Sequence, residues 1–138
     1  MDEAQTEEIN FSRIIEYLKE EFGIILPRGR MFANTNKVFL YTGVDVDLEG
    51  RFGIYLGAMN KGVFRPSTYS AQLATKGIIE IEENDAKNWM CGLDIPVDAK
   101  GYYAIVKYKK YLLGVGKPKE GKIINNLPKN RRLPLSSL

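Results

Sequence analysis

The chain contains no histidine, which removes the side chain most used for proton transfer near neutral pH. Ser-His and Cys-His catalytic arrangements are therefore impossible. A single cysteine, Cys91, rules out an internal disulfide framework and, with no histidine, a cysteine-based zinc site. It stands beside Trp89 and Met90, where a small buried apolar residue is expected rather than a reactive thiolate. No apolar run approaches the ~20 residues that a membrane span needs, so no membrane partner is expected. The opening MDEAQTEEIN has neither the basic start nor the apolar stretch of a secretory leader, and a cytoplasmic protein is the expectation. Acid is scarce at the far end: between Lys100 and Arg132 only Glu120 is acidic.

What is present is positive charge, unevenly placed. The 138 residues carry a net charge of +3. Residues 1 to 21 hold seven acids against Arg13 and Lys19, whereas residues 100 to 132 hold ten Lys or Arg against one acid. Such polarity in a small chain points to a polyanionic partner rather than to fold stability. The length suits one domain with a core that buries about two thirds of the unfolded surface.

The chain reads as α+β. From Thr6, residues Phe11, Ile14, Ile15, Leu18 and Phe22 recur at helical spacing and Gly23 supplies a stop. After the turn ILPRGR, the stretches KVFLYTGV and RFGIYLGAM are rich in strand formers and predict a hairpin across DVDLEG. Ser67 or Thr68 can cap a short helix after Pro66, GIIEIE alternates as a strand, and NDAKNWMCG predicts a second short helix capped by Asn84 or Asp85 and stopped at Gly92. GYYAIVKY and YLLGVGK form a hairpin around Lys109 and Lys110, and KIINNL is a last short strand. Five or six short strands and three helices suggest a small curved sheet of the barrel type.

Two motifs invite chemistry and fail. DVDLEG fits the opening of a calcium loop, with Asp45, Asp47, Glu49 and Gly50, but Leu56 stands where a bidentate Glu is required, and a solvated turn is the better reading. GVGK, Gly114 to Lys117, resembles the end of a phosphate-cradling loop, yet Tyr111 and Pro118 occupy the places of an essential Gly and a Ser or Thr.

The remaining signal is a surface. Ten Lys and Arg between Lys100 and Arg132 are interleaved with Tyr102, Tyr103, Tyr108 and Tyr111, a mixture that neutralises phosphates and stacks on unpaired bases. A solvated lysine face with half-buried tyrosines has the same composition. Gly114 and Gly116 let a ligand or another backbone approach closely. Asn125 and Asn126 suit base edges or ribose hydroxyls, or else turn geometry before Pro128, while Lys129, Arg131 and Arg132 suit phosphates. Arg28, Arg30 and Arg65 extend this surface if the fold brings them to it.

The order GVFRPSTYSAQLAT, NDAKNWMCG, GYYAIVKYKKYLLGVGK, NNLPKNRR resembles the PUA-like C-terminal domain of Sun/Fmu-type RNA cytosine-5 methyltransferases over roughly residues 10 to 134. The matching positions are Phe64, Arg65, Pro66, Ser67, Gly92, Gly114, Gly116, Lys117, Asn125, Pro128, Lys129 and Arg132. Ile124 departs from the family's usual Lys, with Lys122 two residues away on the same strand face. Neither the length nor the two active-site cysteines of such an enzyme are present. The resemblance implies a free-standing, non-catalytic RNA-binding domain over residues 1–138, α+β and PUA-like, built on a small mixed β-barrel with residues 1–27 as a helical segment packed on it. Structured ribosomal or transfer RNA is the implied partner, in RNA modification or ribosome biogenesis, with an RNA methyltransferase as a companion, and no cofactor is implied. Arg65, Lys117, Lys119, Lys122, Asn125, Lys129, Arg131 and Arg132 are the expected RNA contacts. The alternatives are a module that docks onto a methyltransferase or ribosomal protein, and a carboxylate enzyme using Asp45, Asp47 and Glu49.

Overall fold

A computed structural model describes residues 9–43 and 53–134. The chain forms two compact units, Met1–Ala74 and Thr75–Leu138. The loop carrying DVDLEG lies outside the described residues.

In the first unit, helix α1 runs over Phe11–Phe22 and buries Ile14, Leu18 and Phe22, the face that helical spacing predicts. It starts later than Thr6 because Asn10 caps it, its side chain accepting the Arg13 N–H at 3.1 Å. Gly23 ends it in the left-handed region, φ 63, donating to the Lys19 carbonyl at 2.9 Å. Four antiparallel strands follow in sheet order: β1 (Arg30–Asn34), β2 (Lys37–Tyr41), β3 (Ile54–Asn60) and β4 (Val63–Pro66). Strands β2 and β3 are the hairpin expected across DVDLEG. Strand β1 begins inside ILPRGR, and β4 is the start of the segment that leads into the first short helix.

A β-bulge explains the F-R-P-S motif. Val38 pairs with Gly57 and Phe39 with Tyr55, so Leu56 is left without a partner in the β2–β3 ladder. The displaced carbonyls are satisfied by the chain after β4. The Ser67 hydroxyl donates to Tyr55 O at 2.7 Å, and the Ser67 N–H and the Ser70 hydroxyl donate to Leu56 O at 2.9 and 2.8 Å. Ser67 also caps helix α2 (Thr68–Gln72) by accepting the Ser70 N–H at 3.1 Å. Gly57, at φ 148, is required here because a Cβ would collide with the Arg65 carbonyl and the Phe64 ring.

The second unit is a mixed four-stranded sheet, β5 (Ile78–Glu80), β6 (Ala104–Tyr108), β7 (Tyr111–Lys119) and β8 (Lys122–Ile124). Strands β5 and β6 are parallel, joined through helix α3 (Glu83–Met90), and the other pairings are antiparallel. Glu82 rather than Asn84 or Asp85 precedes α3, with no side-chain cap. Trp89, Ile95, Val106 and Ile123 are fully buried and form the centre of a cluster with Ile81, Ala86 and Ala104. Glu120 and Gly121, at φ 51 and 82, turn β7 into β8 as the tight hairpin geometry demands. The α+β class holds, with eight strands among the described residues where five or six were expected. The described residues form two open four-stranded sheets instead of one closed barrel.

Candidate nucleic-acid interface

The basic end of the chain is built around one side chain, Trp89, on the last turn of α3. Its indole is 0 % exposed and passes beneath β7. A Cβ on Gly114 would lie 3.4 Å from its Nε1, and one on Gly116 would lie 2.9 Å from its Cη2 and collide with Ile123. The two glycines therefore admit an internal tryptophan, whereas the sequence suggested a ligand or another backbone. The β6–β7 register shifts at Val106 and Lys107, leaving Leu113 without a ladder partner. Its carbonyl accepts the Trp89 Nε1–H at 3.2 Å, which satisfies the indole's single donor.

Past Gly116 the chain emerges carrying charge. Lys117 and Lys119 lie on one face of β7, and Lys119 stands directly opposite Lys122 on β8. All three are exposed. Like charges placed directly opposite are unfavourable for a sheet, so this arrangement is not explained by stability. Lys122 is steadied by Asp94, Nζ to Oδ2 3.8 Å. Ile124 pairs with Lys117 and shares the strand face of Lys122.

Strand β8 delivers the chain to Asn125, which the structure uses internally. It is 9 % exposed. Its Nδ2 donates to the carbonyls of Trp89 at 2.8 Å and Leu93 at 3.0 Å, its Oδ1 accepts the Leu127 N–H at 2.7 Å, and its N–H donates to Asp94 Oδ1 at 2.8 Å. Both side-chain donors are thus taken up by carbonyls at and just beyond the end of α3, of which that of Trp89 also accepts the Gly92 N–H at 2.9 Å. Asn126 is exposed.

Pro128 then starts a 3-10 turn over Lys129–Arg131, with Lys129 and Arg131 both exposed. The turn is tied down on its far side. Arg132 lays its stem over Gly92, where a Cβ would lie 2.5 Å from Cδ, and its Nε donates to Leu127 O at 2.9 Å. The Leu133 N–H donates to Met90 O at 2.7 Å, and Cys91 Sγ–H to Pro134 O at 3.4 Å. Cys91 is buried, as expected for a packing residue. Residues 125–134 thus wrap the C-terminal end of α3, holding Lys129 and Arg131 outward on a fixed backbone. A cleft of about 400 Å³ opens beside this segment, lined by Met90, Cys91, Tyr108, Tyr111 and Leu133 among others. Lys109 and Lys110 lie 5.3 and 5.7 Å from the rings of Tyr108 and Tyr111. Tyr102 and Tyr111 are exposed, whereas Tyr103 is buried.

Of the eight expected contacts, seven belong to the second unit. Lys117, Lys119 and Lys122 share the β7–β8 hairpin, Lys129 and Arg131 share the turn, Arg132 anchors that turn and Asn125 joins hairpin to turn. Arg65 belongs to β4 of the first unit, where its Nε is buried and finds no hydrogen-bond acceptor among the described residues. Burial raises the Tyr55 hydroxyl pKa above its ordinary value, and the Arg65 guanidinium opposes that shift. Asp94 and Trp89 were missed as supports of the site. Their signal was the Trp-x-x-Gly-x-Asp spacing at the end of a short helix, readable only once the basic segment is known to return to it.

The segment that carries this framework is similar to the PUA domain of an RNA methyltransferase family. Residues 76–133 match the family model described as the methyltransferase RsmF PUA domain. The chain is also similar to proteins named ribosomal RNA small subunit methyltransferase F. It is 27% identical over 127 residues to that of Aeromonas salmonicida, covering 84% of this chain and 26% of the relative. It is 30% identical over 129 residues to that of Shewanella piezotolerans, covering 86% and 27%. The chain spans about a quarter of the length of the curated relatives it matches. Among the described residues no helix is long and apolar enough to cross a membrane.

Proposed function

We propose that the chain is a non-catalytic RNA-binding module that acts in ribosomal RNA modification, its two units serving as one RNA-binding domain. The observation that carries this reading is the display of Lys117, Lys119 and Lys122 on one hairpin and Lys129 and Arg131 on one turn, both hydrogen-bonded to the end of α3 through Asn125. Lysines on an unfolded segment would need both backbone and side chain ordered on binding. These are presented from backbone that is already ordered, which lowers the entropic cost of each contact. In this reading the five side chains meet phosphates, Arg132 holds the turn, and Asn125 positions the cations instead of touching RNA. The names of the relatives favour small-subunit ribosomal RNA as the target, with a methyltransferase as the companion that performs the chemistry.

The test is binding of the purified protein to a small-subunit ribosomal RNA hairpin, followed by fluorescence anisotropy. Five phosphate contacts predict that log affinity falls with log salt at a slope of about −3.5 to −4.5. The double reversal Lys129→Glu, Arg131→Glu is expected to flatten that slope and weaken binding. Undiminished binding by that variant would reject the reading.

A further inference from the structure

Three aromatic side chains stand in a row across the first sheet. Phe32 on β1 is the register partner of Phe39 on β2, and Phe39 is the partner of Tyr55 on β3. Neighbouring residues in a strand point to opposite faces, and Val38, Leu40 and Leu56 are buried at 0, 2 and 0 % exposure. The three rings therefore occupy the face turned away from the unit's core. Tyr55 is 41 % exposed, and Phe32 and Phe39 are half-buried against each other.

The rings are ordered by mutual contact. Phe32 and Phe39 stack with centroids 5.4 Å apart and planes 13° apart, and Phe39 and Tyr55 are tilted at 5.6 Å and 50°. Parallel rings in contact at about 3.5 Å with that centroid separation are offset by roughly 4 Å, so they overlap as shingles and each keeps part of a face open.

Among the described residues of the four strands, the charge around the row has one sign. Arg30 and Tyr41 are register partners on the same face, at one end of the row. Lys37 and Ala58 are partners at the other end, and Arg65 on β4 pairs with Ala58. Residues 30–41 and 53–66 contain no acid at all. Apolar rings placed only for folding would face the core, and an outward face for solubility would mix charges of both signs. Rings flanked on the described strands by cations match a ligand of planar apolar groups strung on an anionic backbone.

We propose that the outward face of the first sheet is a stacking platform for unpaired bases of single-stranded RNA, with Phe32, Phe39 and Tyr55 taking bases and Arg30, Lys37 and Arg65 taking phosphates. This extends the RNA-binding reading to a surface that uses none of the basic C-terminal residues. Stacking tolerates any base, so the platform takes unpaired segments without regard to sequence.

The test uses the full chain and two probes, a labelled oligouridine and an RNA hairpin with a fully paired stem closed by a non-nucleotide linker, so that it offers no unpaired base, measured by fluorescence anisotropy. Tyr55→Leu and Phe39→Leu keep apolar bulk and lose the aromatic face; Phe39→Tyr restores it. Each Leu variant is expected to weaken oligouridine binding about five- to tenfold and leave hairpin binding unchanged, with Phe39→Tyr near wild type. Lys129→Glu, Arg131→Glu is expected to weaken hairpin binding while the Tyr55→Leu effect on oligouridine persists. Ultraviolet crosslinking of the wild-type protein to oligouridine, expected on Phe39 or Tyr55, tests the site without any substitution. Unchanged oligouridine binding by both Leu variants, or crosslinks confined to other residues, overturns the platform. Hairpin binding with no oligouridine binding overturns the platform alone; failure of both probes with wild-type protein overturns the RNA-binding reading as well.

Discussion

Replacing Asn125 by Ala separates a structural role from an RNA contact. The change removes three side-chain hydrogen bonds: Nδ2 to the carbonyls of Trp89 and Leu93, and the Leu127 N–H to Oδ1. Each is worth about 1 kcal/mol net, and the Trp89 carbonyl keeps the Gly92 N–H at 2.9 Å, so a loss of roughly 3 kcal/mol is expected. For a chain of this size that lowers the melting temperature by about 10 °C. Asn125→Asp keeps the shape but turns a carboxylate toward two carbonyl oxygens, and its loss should be at least as large. The assay is denaturant unfolding followed by Trp89 fluorescence, a probe of the second unit because the only tryptophan is fully buried there. An RNA-contacting asparagine would behave oppositely, with weakened RNA binding and little change in unfolding. A stability loss below about 0.5 kcal/mol, the scale of an ordinary surface substitution, would refute the argument.

Other substitutions follow from the same geometry. Gly116→Ala should destabilise the second unit by about 1–3 kcal/mol through overpacking against Trp89 and Ile123, read by the same fluorescence transition. Lys119→Glu places an acid opposite Lys122 and should stabilise the hairpin by about 0.2–1 kcal/mol while weakening hairpin RNA binding; stability and affinity moving together would contradict the reading. Burial raises the pKa of Tyr55, with Arg65 opposing. Its contribution to stability is therefore present below the unfolded tyrosine pKa of about 10 and lost as pH rises through the folded value. Unfolding followed between about pH 9 and 11 should show this loss, absent in Tyr55→Phe and displaced to higher pH in Arg65→Ala.

The sequence made its periodic elements legible. Helix α1 announced itself through Ile14, Leu18 and Phe22 and its Gly23 stop, and the β6–β7 hairpin through its Tyr and Val content. Strand β1 was hidden because Pro27 and Gly29 read as a turn, although the strand begins immediately after them. The bulges at Leu56 and Leu113 carry no local signature, since each is defined by the partner strand. The basic residues of the candidate site were legible as charge. Their supports were not: Asn125 reads as a polar contact until Trp89 and Leu93, more than thirty residues earlier, are seen to take its amide. The aromatic row had the same obstacle, for Phe32, Phe39 and Tyr55 become neighbours only through strand register.

The central claim is that the cations of the β7–β8 hairpin and the following turn meet RNA phosphates. Salt titration of RNA hairpin binding, repeated with Lys117, Lys119, Lys129 and Arg131 neutralised to Gln one at a time, tests it most directly. The account predicts that every substitution makes the slope of log affinity against log salt shallower by about 0.7–0.9, with no loss of the protein's stability to unfolding. Slopes that stay at the wild-type value while binding persists would contradict it.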